Sequence, residues 1–272
     1  MTLAENKIPS SRDISPISTL VADHVGRVVI KHQHGRHGID ETIQLVDEVL
    51  TGFDADPEVH VVVLRAPTPT IPMQVVSSAG NHDDPAEPAY ANHQTVAAIT
   101  RRLTAMTTPT ISVIEGPCRG AALTLALATD IRIAVEHSTF ALDGAFYGYA
   151  YSVDEIETLV AAVGPVIAAD VLYTARCLTA REAVDMRLIN RMATVDELDE
   201  VVAATAHMVA MNDPSALRAA KASVQAATRR TDVIARDIAE QRIRQCDRSR
   251  SIREAQQAQV RGSSTSLGQA GM

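Results

Sequence analysis

Two short runs of β-branched residues, Val25–Lys31 (VGRVVIK) and Val59–Leu64 (VHVVVL), read as strands. Between them apolar residues recur at Ile43, Val46, Val49 and Leu50, the spacing of one helical face, with Asp40 placed as an N-cap. Strand, helix and strand in that order predict a βαβ unit with a right-handed crossover. From Ala66 to Pro88 the chain reads as a loop, because its five prolines cannot continue a central strand. Gln94–Met106 then has helical spacing, Thr110–Ile114 reads as a third strand, and Gly116–Gly120 as a turn. Ala121–Thr129, small and apolar, predicts a buried helix, followed by a short strand at Ile131–Ala134. From Asp154 to about Val260 the pattern is mainly helical.

This pattern divides the chain into a polar, Ser/Pro-containing flexible leader at 1–19, an α/β core at 20–195, a helical C-terminal segment at 196–260 and a Gly/Ser-rich disordered tail at 261–272. The 272 residues are 46% hydrophobic and 21% charged, enough apolar content for a sizeable core. A net charge of −8 argues against a nucleic-acid coat or a membrane-surface binder. Aromatics are only 3%, which disfavours stacking platforms for single strands. The cysteines, Cys118, Cys177 and Cys246, are odd in number and far apart, so neither a disulfide framework nor a CxxC metal site is expected. The N-terminus has no apolar signal-peptide region, and the Ala121–Ala128 run is too short to span a bilayer. The expectation is a cytoplasmic protein that takes a small molecule.

Four groups of residues have the chemistry for a site. Ser78-Ala79-Gly80-Asn81 and Gly116–Ala122 are small-residue turns; two main-chain N–H groups at such turns can hold the oxygen of a thioester as it gains negative charge. The same glycines also suit a tight turn before a packed helix. No GxGxxG or GxxxxGK[ST] fingerprint occurs. Phe140–Glu155 (FALDGAFYGYAYSVDE) holds Asp143, Tyr147, Tyr149, Tyr151, Asp154 and Glu155. Carboxylates beside apolar rings can serve as general acid or base, and a tyrosine at every second position suits a strand face or a pocket wall. Equally, Asp143-Gly144 suits a turn, and Asp154-Glu155 a helix N-terminus. His32, His34 and His37, and separately His82, read better as loop residues than as ligands or acid/base groups. Arg218, Lys221, Arg229 and Arg230 suit either a phosphate clamp or a solvated helix face.

The run Gly116-Pro-Cys-Arg-Gly-Ala-Ala-Leu-Thr-Leu-Ala-Leu-Ala-Thr-Asp-Ile-Arg-Ile-Ala134 resembles the signature G-x-x-x-G-G-G-x-E-L-A-x-x-x-D-I-R-x-A of the crotonase (enoyl-CoA hydratase/isomerase) superfamily. Ser138-Thr-Phe140, Gly164, Leu172–Ala183, Leu188-Ile-Asn190 and Asp213–Lys221 are similar to its later segments, so the likeness spans roughly 25 to 225. It implies an α/β fold of crotonase-like stacked ββα units with a helical C-terminal trimerisation segment, in a homotrimer or a hexamer. It implies an acyl-CoA or other carbonyl substrate, no separate cofactor (CoA entering only as part of the substrate) and no metal. The enolate would be held by the N–H groups of Ala121 and Asn81, with Val75 the equivalent if the loop is not longer. Lys221 would match a lysine that helps hold CoA.

The departures from that pattern bear on activity. The two catalytic glutamates of the hydratases fall on Thr124 and Gly144, and the triple glycine has become Gly120-Ala-Ala. The resemblance therefore implies an atypical enzyme stabilising an enolate or oxyanion, acting in isomerisation, C–C bond cleavage or formation, or decarboxylation. Asp143, Asp154 or Glu155 would move the proton, with Thr124, Gly144, Tyr147 and Tyr151 lining the substrate. Two alternatives stand beside it: a non-catalytic paralogue acting as a binding or assembly subunit, and a biosynthetic cyclase working through pocket shape.

Overall fold

The structure, a computed structural model, describes residues 16–31, 39–67, 87–228 and 241. Its main sheet has six strands in the order β1-β2-β3-β4-β6-β9. These are β1 (Ile17–Ala22), β2 (Val25–Ile30), β3 (Val61–Pro67), β4 (Thr110–Glu115), β6 (Ile131–Val135) and β9 (Arg191–Ala193). β1 and β2 form an antiparallel hairpin whose two linking residues, Asp23 and His24, both take positive φ, as the twist of a two-residue hairpin requires. All other pairings in this sheet are parallel. Residues 17–19, expected in the leader, belong instead to β1, because Ile17 pairs with Ile30 and is buried.

The second sheet is small: β5 (Pro117–Arg119), β7 (Thr139–Ala141) and β8 (Leu178–Thr179). Chain order shows how the two sheets are built. β4 enters the main sheet, β5 the small one, and α3 (Ala121–Leu127) follows; β6 and β7 repeat the step before α4 (Val153–Thr174). These are the stacked ββα units. The turn expected at 116–120 is in part β5, since Cys118 pairs with Phe140 and buries its side chain while its neighbours face out. Three residues were too few for a periodic signal in the sequence.

Period-2 alternation assigns the faces of the main sheet. Val62 and Val28 pack with Val46 and Leu50 of α1 (Ile39–Ala55) and Ile99 and Leu103 of α2 (Glu87–Ala105). Val61, Val63, Ile111, Val113 and Ile133 pack on the other side with Leu198, Ala206 and Ala210 of α6 (Leu198–Ala210). A third cluster fills the space between the small sheet, α3, α4 and α5 (Ala180–Asp185), centred on Phe140, Leu123, Leu159 and Leu178. Fully burying a side chain such as Phe140 contributes about 1.5–3 kcal/mol, so this cluster is stiff enough to hold polar groups in place at its edge. By length and composition α4 is apolar enough to cross a membrane. It breaks, however, at Gly164-Pro165, where Gly164 takes φ 78, and it gives Leu159, Ala168 and Val171 to the core. The last element with described bounds, α7 (Pro214–Thr228), docks through Lys221 and Gln225.

Candidate active site

The end of β4 leads into a turn fixed from both sides. Gly116 N–H donates to Ser138 Oγ at 2.9 Å, and that hydroxyl donates to Ile114 O at 3.2 Å. Gly120 N–H donates to Ala141 O at 2.9 Å, closing β5 on β7. Gly120 takes φ 52 and ψ −124, a conformation that favours glycine. Ala121 is the first residue of α3; the first intrahelical bond back to the turn is made by Thr124 N–H to Gly120 O at 3.0 Å. Among the described residues no acceptor takes the Ala121 N–H, which lies on a residue only 4% exposed.

One turn along α3, Thr124 is fully buried and donates its hydroxyl to Ala121 O at 2.9 Å. Beside it lies Glu155, which enters from the first turn of α4. The sequence there, Ser152-Val-Asp-Glu155, is a capping box: Ser152 N–H and Oγ–H both donate to Glu155 Oε2 at 2.7 Å, and Glu155 N–H donates to Ser152 Oγ at 3.3 Å. Oε1 has no hydrogen-bond partner among the described residues, and the Thr124 hydroxyl near it donates to Ala121 O. Burial pushes the Glu155 carboxyl above its ordinary 4.5, and the Ser152 groups and the nearby Thr124 hydroxyl pull it back only in part. Glu155 is thus both a helix cap and a buried acid.

Asp143 and Tyr151 complete the cluster. Asp143 is buried, and its Oδ2 accepts from Arg119 Nε at 3.2 Å and from Nη2 at 2.5 Å. Its Oδ1 has no partner among the described residues. Gly144 N–H donates to Tyr151 OH at 3.2 Å. Burial raises the Tyr151 phenol, with the Asp143 and Glu155 carboxylates adding to it and the Gly144 N–H and Arg119 opposing. Tyr149 and Tyr151 meet edge to face, ring centroids 5.0 Å apart. They occupy the space a side chain at 144 would need: a Cβ there would lie 2.8 Å from Tyr151 Cε2 and 2.9 Å from Tyr149 O. The segment is not the strand that alternating tyrosines suggested. A 3-10 helix, Gly144–Tyr147, ends at Gly148 with φ 70 and turns both tyrosines inward.

The structure thus brings Ala121, Thr124, Gly144, Asp143, Tyr151 and Glu155 together. Asp154 turns instead toward Arg101 of α2, at 3.8 Å. The backbone of Tyr147 belongs to the 3-10 helix, while its side chain, with Asn81, Val75, His82, His32, His34 and His37, lies outside the described residues. Lys221 is the residue that the resemblance would set beside CoA. Its ammonium is buried and donates to Asp130 Oδ2 at 2.8 Å and Thr108 O at 3.0 Å, so it faces the start of β4 rather than the Gly116–Ala121 turn at its end. Its spacing along α7 could not reveal that partner, 91 residues away in sequence. Burial pushes the Cys118 thiol up to about 12, which leaves it unreactive. Among the described residues no three His, Cys, Asp or Glu side chains converge as metal ligands. Sequence reasoning missed Arg119. The available signal was a lone cation between Cys118 and Gly120 in an otherwise small and apolar run.

Stacked ββα units, with a glycine-bearing turn between the small sheet and α3, define the crotonase fold. The profile of the enoyl-CoA hydratase/isomerase family matches residues 39–262, and the chain belongs to that family. Methylmalonyl-CoA decarboxylase of Escherichia coli K12 is 28% identical over 199 residues, 71% of this chain and 75% of that protein. The crystal structure of an enoyl-CoA hydratase/carnithine racemase from Magnetospirillum magneticum has a TM-score of 0.71 at 25% identity, over 81% of this chain and 84% of that one. A structure of methylmalonyl-CoA decarboxylase in complex with 2-nitronate-propionyl-CoA has a TM-score of 0.75 at 21% identity, over 91% of this chain and 96% of that one, and shares the fold.

Proposed function

We propose that this chain is an acyl-CoA enzyme that forms a thioester enolate by cleaving a C–C bond, by decarboxylation in the first instance, and does not add water by the two-glutamate route. The observation that carries this reading is the buried Glu155 carboxyl beside Thr124, with one oxygen unpartnered and its proton held more tightly than usual. A neutral acid is what an enolate needs. As CO2 leaves, the bonding pair moves into the thioester carbonyl, whose oxygen gains charge at the Ala121 N–H. The α-carbon then takes a proton from Glu155, and solvent restores it. The relative named a decarboxylase supports this class.

The same cluster disfavours hydration. Thr124 has no carboxyl to supply, and no side chain fits at 144 while Tyr149 and Tyr151 stay inward. Asp143, tied to Arg119, shapes the pocket rather than moving the proton.

Malonyl-CoA and methylmalonyl-CoA are the substrates to try, with CO2 release and crotonyl-CoA hydration as the two readouts. Ala121→Pro removes the N–H at a helix position that accepts proline, and should lower decarboxylation about 10²–10³-fold with little change in Tm. Glu155→Gln should slow protonation of the product and cut solvent deuterium incorporation. Wild-type turnover in both variants, or hydration as the dominant activity, would overturn the reading.

A further inference from the structure

We infer that Thr124 is a positioning residue for the Glu155 proton: its hydroxyl turns between the Ala121 carbonyl and the Glu155 carboxyl, and so holds the acid in either protonation state. This rests on the reading of Glu155 as the acid, and it concerns how that acid gives up its proton and regains it. Two helices set the contact. In α3, Thr124 stands three residues before Leu127, and in α4, Glu155 stands four residues before Leu159. Residues at those spacings share a helix face. Leu127 and Leu159 belong to one buried cluster, so the faces that carry Thr124 and Glu155 are packed on each other. Both polar residues are fully buried there.

The hydrogen bonds around the carboxyl leave one place open. Oε2 is taken by Ser152 N–H and Oγ–H, both at 2.7 Å, while Oε1 has no partner among the described residues. The nearby Thr124 hydroxyl has one proton and gives it to Ala121 O at 2.9 Å. With that proton used, the Thr124 oxygen accepts, and a carboxyl has a proton to donate only when it is neutral. A neutral Glu155 therefore completes a chain, from Glu155 O–H to Thr124 Oγ and from Thr124 O–H to Ala121 O. An ionised Glu155 needs the reverse. Rotation about the Cβ–Oγ bond turns the same proton onto the carboxylate, and Ala121 O keeps its main-chain bond in the helix. When Glu155 protonates the enolate, its O–H bond breaks, the proton joins the α-carbon and the bonding pair stays on the carboxylate. The Thr124 proton then meets that charge, and turns back when solvent restores the acid. The other titratable and charged groups nearby are Asp154 on the same helix, which faces Arg101 of α2, and, from the segment after the small sheet, Tyr151 with Asp143 and Arg119 close to it. None of these bonds Oε1.

The test is an infrared titration of the buried carboxyl in the protein without substrate, with the band assigned by its loss in Glu155→Gln. Thr124→Val replaces the hydroxyl with a methyl group. Both protonation states then lose a hydrogen bond, and the one to the ionised carboxylate is the stronger. Glu155 should therefore titrate about one pH unit or more above wild type in this variant. Thr124→Ser keeps the rotating hydroxyl and should titrate as wild type does. Titration of Thr124→Val at or below the wild-type pH, or of Thr124→Ser together with the valine variant, overturns the inference and leaves the C–C cleavage reading to its own assay. The expected titrations in a protein that releases no CO2 from either thioester overturn that reading and leave the inference standing. If Thr124→Val does not fold, Thr124→Ala, which removes the hydroxyl and adds no bulk, decides in the same way.

Discussion

Glu155 shows how one residue can serve two purposes. Oε2 closes the capping box of α4, and Oε1 is left inside the cluster with Tyr151 and Thr124. Because burial raises its pKa, the folded protein holds this proton more tightly than the unfolded chain does. The stability that the proton brings is fully present below the ordinary value of 4.5 and is lost as pH rises through the raised native value. Glutamine keeps the capping geometry and does not titrate. Tm should therefore be higher in Glu155→Gln than in wild type at neutral pH, and the gap should close as pH falls toward 4.5. Thermal melts of both proteins across that range check this. A constant gap would mean that the carboxyl is not neutralised by burial. Asp143 and Glu155 were both visible in the sequence as candidates beside aromatic residues. Which carboxylate faces a cation and which faces hydroxyls and a main-chain N–H was not, because Arg119 comes from another segment.

At the scale of elements, α7 is fastened by Lys221 and Gln225, the latter donating to Thr104 O at 2.7 Å. Lys221 bridges the loop before β4 and the turn after α3, where Asp130 also accepts from Thr110 N–H at 2.7 Å. Replacing Lys221 with methionine leaves the Thr108 carbonyl and Asp130 short of a donor, costing about 1–3 kcal/mol. That corresponds to a fall in Tm of roughly 2–4 °C per kcal/mol for a chain of this size class. Turnover at the Gly116–Ala121 turn should be unaffected at temperatures where the variant is folded. A Tm unchanged by Lys221→Met together with weakened CoA binding would return Lys221 to the ligand-holding role that the resemblance implied. The short β5 teaches the same lesson: a lysine on a helix and three residues after a glycine acquire meaning only from what the topology sets against them.

For the whole molecule, the two-sheet arrangement converts chain order into a site. Each ββα step delivers a main-sheet strand, a small-sheet strand and a helix, and the first turn of α3 meets the first turn of α4 where Thr124 and Glu155 lie side by side. A native-state ligand must raise the melting temperature, by an amount equivalent to about 2.7 kcal/mol at a hundredfold excess over Kd. Free CoA should do so here, and a thioester should do so more strongly. No shift with either, in a fluorescence melt at millimolar ligand, would count against a CoA-derived substrate. Most of the long strands and helices, though not β1, and the family were readable from residues alone, because local periodicity and the spacing of glycines around Ala121 are properties of neighbours along the chain. The tertiary structure alone decided that tyrosine rings fill the space beside Gly144, that Lys221 is a buried fastening, and that Arg119 stands on Asp143. Each of these depends on the packing of segments distant in sequence, and steric exclusion, desolvation and ion pairing act through space.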